Sequence, residues 1–178
     1  MALPFPAMQG FVLPLPSGDA GIYATLEHMR ILARNAALQP LVRNTAARAV
    51  AGVSGFDGNM QARILQGFIE DHTQFLSDPA HAEMLIEPAS VVHQILTQGI
   101  AQLDCDDVAT LAAAMGLAIG LRARFVIVGF GSSPNAPFRH VWTELADARR
   151  PRWLAVDPTR PAQGLDGLAI SRRRFLEV

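Results

Sequence analysis

The stretch LDCDDVATLAAAMGLAIGLRARFVIVG, residues 103–129, decides the fold. From residue 105 to residue 120 it is apolar almost throughout, which predicts a buried helix. The segment that follows is β-branched and aromatic, too short and too β-prone for a helix. The predicted strands cover residues 124–129, 138–146 and 152–157. Because helices come first and one helix leads into antiparallel strands, the order predicts an α+β fold, with the Cys105 helix packed on the sheet.

The chain before this stretch is predicted to be mainly helical. Apolar residues recur at three-to-four spacing from residue 21 to about residue 77, and Pro40 and the glycines at 52–55 divide this part into two or three helices. Another helix is predicted at 89–99. The longest apolar run is too short for a membrane span, which needs about 20 residues.

The bulk composition limits the possible function classes. Half of the 178 residues are apolar and 17% are charged, so the chain is expected to fold. A net charge of −1 argues against a general binder of nucleic acid or of anionic membranes. The N-terminus lacks the basic start and apolar core of a signal peptide, so we expect a soluble protein made in the cytoplasm.

Cys105 is the only cysteine, so it can form neither an internal disulfide nor a multi-cysteine metal site. Asp104 is at the expected N-cap position, and Asp107 three residues later completes an acidic variant of the capping box. Cys105 therefore lies in the first helical turn, where backbone N–H groups favour a thiolate. The neighbouring aspartates oppose this effect by raising the thiol pKa, and a nearby imidazolium would offset them.

His140 and Asp157 are the predicted partners of this thiol, because cysteine, histidine and aspartate supply a nucleophile, a base and a group that orients the base. His93 is the alternative base. A hairpin centred between residues 148 and 149 would place His140 directly opposite Asp157. The same register predicts that Trp142 faces Ala155, that Glu144 faces Trp153, and that one face of the first strand carries Phe138, His140, Trp142 and Glu144.

Residues 1–20 contain four prolines among apolar residues, which predicts an extended arm. Two interpretations stay open: the arm covers its own domain, or it docks on a partner during assembly. The predicted organisation is an arm at 1–20 and a single domain at 21–178. Within this domain we expect a helical part at 21–100, a catalytic core at 101–160 and a C-terminal tail at 161–178.

Three motifs in this order resemble the transglutaminase-like cysteine hydrolase superfamily, in particular its short bacterial and phage-encoded members. They are Leu103-Asp-Cys105-Asp-Asp before an alanine-rich helix, His140-Val-Trp142, and Trp153-Leu-Ala-Val-Asp157-Pro-Thr159. The segment from residue 65 to residue 88 adds a lead-in that is similar to those of the phage-type proteins, at Asp78, Pro79, Glu83, Glu87 and Pro88. The resemblance covers residues 65–160.

The resemblance implies a papain-like core in which Cys105 is the nucleophile, His140 the general base and acid, and Asp157 the orienting carboxylate. It implies acyl transfer on protein or peptidoglycan-type amides through a thioester, and does not separate hydrolysis from transfer to an amine. Leu103 stands where these proteins usually carry glycine, and could narrow the approach to the sulfur. Gln98 and Gln102 are candidates for the second oxyanion donor, beside the backbone N–H of Cys105.

Calcium binding is an alternative role for the acidic residues beside Cys105. In a related group of bacterial proteinases, carboxylates beside the nucleophile bind calcium, and Asp104 and Asp106 are similar in position. Helix capping explains the same residues without a metal, so no cofactor is predicted.

The second candidate function is a virion-associated structural or assembly protein of a phage particle. It would contact phage structural proteins through the 1–20 arm and could form a homo-oligomer.

Overall fold

The computed structural model describes residues 10–12, 18–55, 57–77, 84–159 and 169–178. The helices are α1 (Asp19–Leu38), α2 (Pro40–Ala49), α3 (Gly58–His72), α4 (Pro88–Gln98) and α5 (Cys105–Ala118). The strands are β1 (Gly10–Val12), β2 (Thr73–Phe75), β3 (Met84–Ile86), β4 (Ala101–Leu103), β5 (Arg122–Phe130), β6 (Phe138–Asp147), β7 (Arg150–Val156) and β8 (Ile170–Glu177). In the described ranges, no helix is both long and apolar enough to cross a membrane.

The main sheet has the strand order β7-β6-β5-β8, and every neighbouring pair in it is antiparallel. Helix α5 packs on one face of this sheet and is buried along nearly its whole length. Gly116 allows the close approach, because a Cβ there would collide with the side chain of Leu145 in β6. The Thr143 hydroxyl also donates to the backbone carbonyl of Ala109 at 2.6 Å. The α+β fold, with a helix that begins at Cys105 and packs on an antiparallel sheet, is confirmed.

The last part of the predicted C-terminal tail at 161–178 forms a strand. Residues 170–177 form β8, which pairs with β5 along its length, for example Val128 with Arg173. Residues 172–174 are three consecutive arginines, and such a run indicates a solvated face, so a strand was not predicted here. Charged side chains are, however, also usual on an edge strand such as β8. Residues 160–168 lie outside the described ranges.

The N-terminal arm is described only in part. Helix α1 begins at Asp19, two residues before the predicted start of the domain at residue 21. Residues 10–12 form β1, which pairs antiparallel with β3 of the same chain. For these residues the arm covers its own domain. Residues 1–9 and 13–17 lie outside the described ranges, as do Asp78, Pro79 and Glu83 of the predicted lead-in. The division into an arm and a single domain stays a prediction.

The predicted hairpin register is correct at the turn and wrong beyond it. Asp147 pairs with Arg150, but Glu144 then pairs with Ala155 instead of Trp153, a shift of two residues. The residues of β7 at 151–153 lie opposite the single residue Ala146. Pro151 has no N–H to donate to the ladder, which explains why the pairing is interrupted there. A shift of two residues leaves each side chain on its predicted face.

A second irregularity, at Arg139, corrects the face of Phe138. Val128 pairs with His140, whereas Gly129 pairs with Phe138, so Arg139 is an extra residue in β6. Because a bulge shifts the alternation of side chains, Phe138 no longer shares a face with His140. Instead its ring contacts Tyr23 of α1, with the ring centroids 6.4 Å apart. The ring of His140 lies 5.9 Å from that of Trp142.

Candidate active site

The first turn of α5 holds Cys105. Asp104 is the N-cap in an extended conformation, and its carboxylate accepts a hydrogen bond from the backbone N–H of Asp107 at 3.3 Å. The predicted cap is therefore present. The cap occupies the N–H of Asp107, whereas the N–H of Cys105 contacts the thiol.

The Cys105 thiol is protonated at neutral pH. Burial raises its pKa to about 11, and the negative charges of Asp104 and Asp157 act in the same direction. Hydrogen bonds from the backbone N–H groups of Val141 and of Cys105 itself lower the pKa but do not compensate. Ionising such a thiol at pH 7 costs about 5 kcal/mol, so any reaction of the sulfur as a nucleophile needs a base beside it.

The side chains of His140 and Asp157 form a buried pair. His140 Nε2 lies 2.8 Å from Asp157 Oδ2, and the two side chains are only 4% and 10% exposed. The other carboxylate oxygen, Oδ1, accepts a hydrogen bond from the Thr159 hydroxyl at 2.7 Å. When Nε2–H donates to the carboxylate, Nδ1 is the nitrogen that remains to accept a proton. Thr159 was not predicted as a site residue, although it follows Asp157 by two residues, a spacing that is usual for a local side-chain contact.

Cys105 and His140 line one cavity of about 220 Å³ between α1, the start of α5 and the strands β5 and β6. His140 is the single histidine among the described residues that line it, so His93, on α4, is not the base of this site. Leu103 does not narrow the cavity, because its side chain is buried in the main apolar core. The cavity is lined by Ile22, Thr25, Leu26, Met29, Asp104, Cys105, Asp106, Ile127, Phe138, Arg139, His140 and Val141.

The predicted glutamine donors are not at this site. Gln98 accepts a hydrogen bond from Gln94, and the side-chain amide of Gln102 donates to Gln74 at 3.4 Å. Both Gln98 and Gln102 are exposed. The second backbone donor, beside the N–H of Cys105, is instead the N–H of Val141, which sequence patterns cannot identify without the position of β6.

The acidic residues around Cys105 lie close together. Carboxylate oxygens of Asp104, Asp106 and Asp107 all lie within 4.8 Å of one another. Each has a partner within the protein: Asp104 caps α5, Asp107 accepts from the backbone N–H of Ile86 at 2.7 Å, and Asp106 accepts from that of Asp107 at 2.8 Å. Burial, together with a hydrogen bond to Asp104, raises the pKa of Asp106 well above its usual range. Capping of α5 and the contact with Ile86 account for Asp104 and Asp107 without a metal, and the raised pKa of Asp106 disfavours the ionised form that calcium would bind.

Two comparisons with known proteins give matches. The family model of the transglutaminase-like superfamily matches residues 61–158, more than half of the chain. A crystal structure of a candidate cysteine protease from Cytophaga hutchinsonii has 17% sequence identity and a TM-score of 0.49, and the match covers 75% of this chain. The chain spans 41% of that protein's length. A comparison with curated proteins finds no match. The chain belongs to the transglutaminase-like superfamily.

Proposed function

We propose that the chain is a cysteine hydrolase in which Cys105 is the nucleophile, His140 the general base and acid, and Asp157 the group that orients the imidazole. The observation that carries this proposal is the buried 2.8 Å contact between His140 and Asp157, made by a histidine that lines the same cavity as Cys105. Membership of the superfamily supports the same assignment.

The geometry supports acyl transfer with a base that acts during the attack. Because the thiol is protonated at rest, the sulfur attacks the amide carbon as His140 Nδ1 removes its proton. The negative charge on the carbonyl oxygen is stabilised by the N–H of Cys105 at the start of α5. The C–N bond then breaks as Nδ1–H protonates the leaving nitrogen, and a thioester remains on Cys105. His140 Nδ1 then takes a proton from the water that attacks the thioester, the C–S bond breaks to release the carboxylic acid, and the proton passes from Nδ1 to the sulfur.

We propose protein or peptidoglycan-type amides as substrates, with water or an amine as the final acceptor. The alternative, a virion-associated assembly protein of a phage, depends on the arm at 1–20. Of that arm the structure describes residues 10–12 and 18–20, and residues 10–12 pair with β3 of the same chain. This pairing favours the enzyme over the docking arm.

Alkylation of the single cysteine tests the proposal without knowledge of the substrate. The rate of iodoacetamide addition at pH 7, followed by intact mass, should fall at least tenfold in His140→Ala, because the sulfur loses its base. His93→Ala is the matched control and should react like the wild type. An unchanged rate in His140→Ala would remove the basis of the proposal.

A further inference from the structure

Helix α1 forms one wall of the Cys105 cavity. Ile22, Leu26 and Met29 follow each other at helical spacing along one side of α1, and all three line the cavity. Ile127 of β5 and Phe138 of β6 complete an apolar lining. The hydroxyl of Thr25, the polar residue that α1 contributes, donates to the carbonyl of Gly21 within its own helix at 3.3 Å. This wall therefore presents mainly hydrocarbon to a bound group.

The start of α1 is fastened to the sheet beside this cavity. Arg172 of β8 donates two hydrogen bonds to the carboxylate of Asp19, at 3.2 and 2.5 Å. The same guanidinium lies 4.1 Å from the ring of Phe138, and the Tyr23 ring contacts Phe138 edge-on. Asp19, Tyr23 and Arg172 all lie outside residues 61–158, which the family model matches. This chain thus closes the cavity with elements that come from outside the matched region.

The opposite wall carries the polar and reactive groups. Cys105, His140, Asp104 and Asp106 line this side, and Arg139 lies exposed at the bulge in β6. The negative charges of Asp104 and Asp157 act on the sulfur, and they disfavour a further negative charge from a ligand. The cavity, with a volume of about 220 Å³, has room for one side chain of a bound substrate.

We infer that this cavity is a specificity pocket for an uncharged aliphatic side chain, such as that of leucine, on the residue that donates the acyl group, and that α1 sets this preference. The inference rests on the proposed function and adds a substrate class to it. Each methylene buried against such a wall should favour reaction about fourfold. A leucyl group carries three more carbons than an alanyl group, so a preference of at least tenfold is expected.

Acetyl-aminoacyl chloromethyl ketones test this inference on the full chain. Each forms a C–S bond to Cys105 and releases chloride, while the thiol proton passes to His140, and the product is read by intact mass. Rates are divided by those of the same reagents with free N-acetylcysteine, which removes intrinsic reactivity. We expect the leucyl reagent to react at least tenfold faster than the alanyl reagent, and the glutamyl reagent to react slowest.

A variant of the wall gives the second test. Ile22→Ala should enlarge the pocket and reverse the order of two reaction rates. The leucyl reagent should react faster than the phenylalanyl reagent in the wild type, and slower in the variant. An unfolded variant would lose all preference instead of reversing it. Leu38→Ala, at the exposed end of the same helix, is the control and should keep the wild-type order.

The outcomes separate this inference from the proposed function. If iodoacetamide addition depends on His140 but the leucyl reagent is no faster than the alanyl or glutamyl reagent, the aliphatic pocket is wrong and the hydrolase stands. If His140 has no effect on iodoacetamide addition, the proposed function fails first.

Discussion

His140 Nε2 lies 2.8 Å from Asp157 Oδ2 although the strand ladder does not pair the two residues. Beyond the turn the register has shifted by two residues, and β7 ends at Val156. Asp157 therefore reaches His140 from the segment after the strand, where the Thr159 hydroxyl holds its second oxygen. The orientation of the imidazole depends on this short segment as well as on the sheet.

Removing the Thr159 hydroxyl should weaken the orientation of Asp157. A hydrogen bond to a charged group contributes about 1.5–3 kcal/mol, of which a part should reach the imidazole. We expect Thr159→Val to slow iodoacetamide addition at pH 7 by threefold or more. Thr159→Ser keeps the hydroxyl and should retain the wild-type rate. Equal rates in the valine and serine variants would show that Thr159 does not position Asp157.

The buried thiol should make folding stability depend on alkaline pH. Burial raises the pKa of Cys105 from 9.0 to about 11, so between these values the folded state holds more protons than the unfolded state. The contribution is fully present below pH 9 and is lost as the pH rises toward 11. Urea unfolding at pH 8 and pH 10.5 should show a loss of about 2 kcal/mol that Cys105→Ala lacks. The same loss in both proteins would contradict the raised pKa.

The raised pKa of Asp106 also predicts that folding stability falls as the pH rises, but in a lower pH range. The folded state favours the protonated carboxyl of Asp106. Its contribution to folding stability is therefore fully present below the usual carboxyl pKa, near pH 4, and is lost as the pH rises through the pKa of the folded state. Asn cannot ionise, so Asp106→Asn should raise the melting temperature relative to wild type at pH 7, and less so at pH 4.

Two further measurements complete the Asp106 test. Asp71→Asn, on the exposed side of α3, is the control and should show little change with pH. The calcium interpretation predicts a different result: calcium would raise the wild-type melting temperature, and Asp106→Asn would abolish that effect.

Replacing two helical glycines, Gly116 and Gly67, by alanine should change the free energy of unfolding in opposite directions. Alanine is favoured over glycine in a helix by about 1 kcal/mol. At Gly116, however, a Cβ would collide with Leu145, so Gly116→Ala should lower the free energy of unfolding by about 1–3 kcal/mol. Gly67 in α3 has open space around the same position, and Gly67→Ala should raise it by about 0.5–1 kcal/mol. Chemical denaturation measures both, and stabilisation by Gly116→Ala would contradict the packing described above.

Patterns that are long and local could be predicted from the sequence. The helix that begins at Cys105, its Asp104 cap and the strands β5 to β7 follow from apolar runs, a capping residue and β-branched residues. The three-residue strands β1 to β4 are too short for such a signal. A shifted ladder and a bulge at Arg139 changed the neighbours of single residues, which local propensity does not determine.

Features that depend on tertiary contacts could not be predicted. The apolar spacing of α1 indicated a buried side but not that this side faces the Cys105 cavity. The arginines of β8 indicated solvent, although Arg172 joins Asp19 across the molecule. The raised pKa of Asp106 likewise depends on burial that only the folded chain provides.

The most direct test of the central claim is whether Cys105, His140 and Asp157 act as one unit. The measurement is the rate of iodoacetamide addition to Cys105 at pH 7 in wild type, His140→Ala, Asp157→Asn and the double variant. Groups that act through one another give strongly non-additive effects. We predict that the double variant reacts at the same reduced rate as His140→Ala, because Asp157 acts only through the imidazole. Independent effects that multiply in the double variant, or a wild-type rate in His140→Ala, would contradict the account.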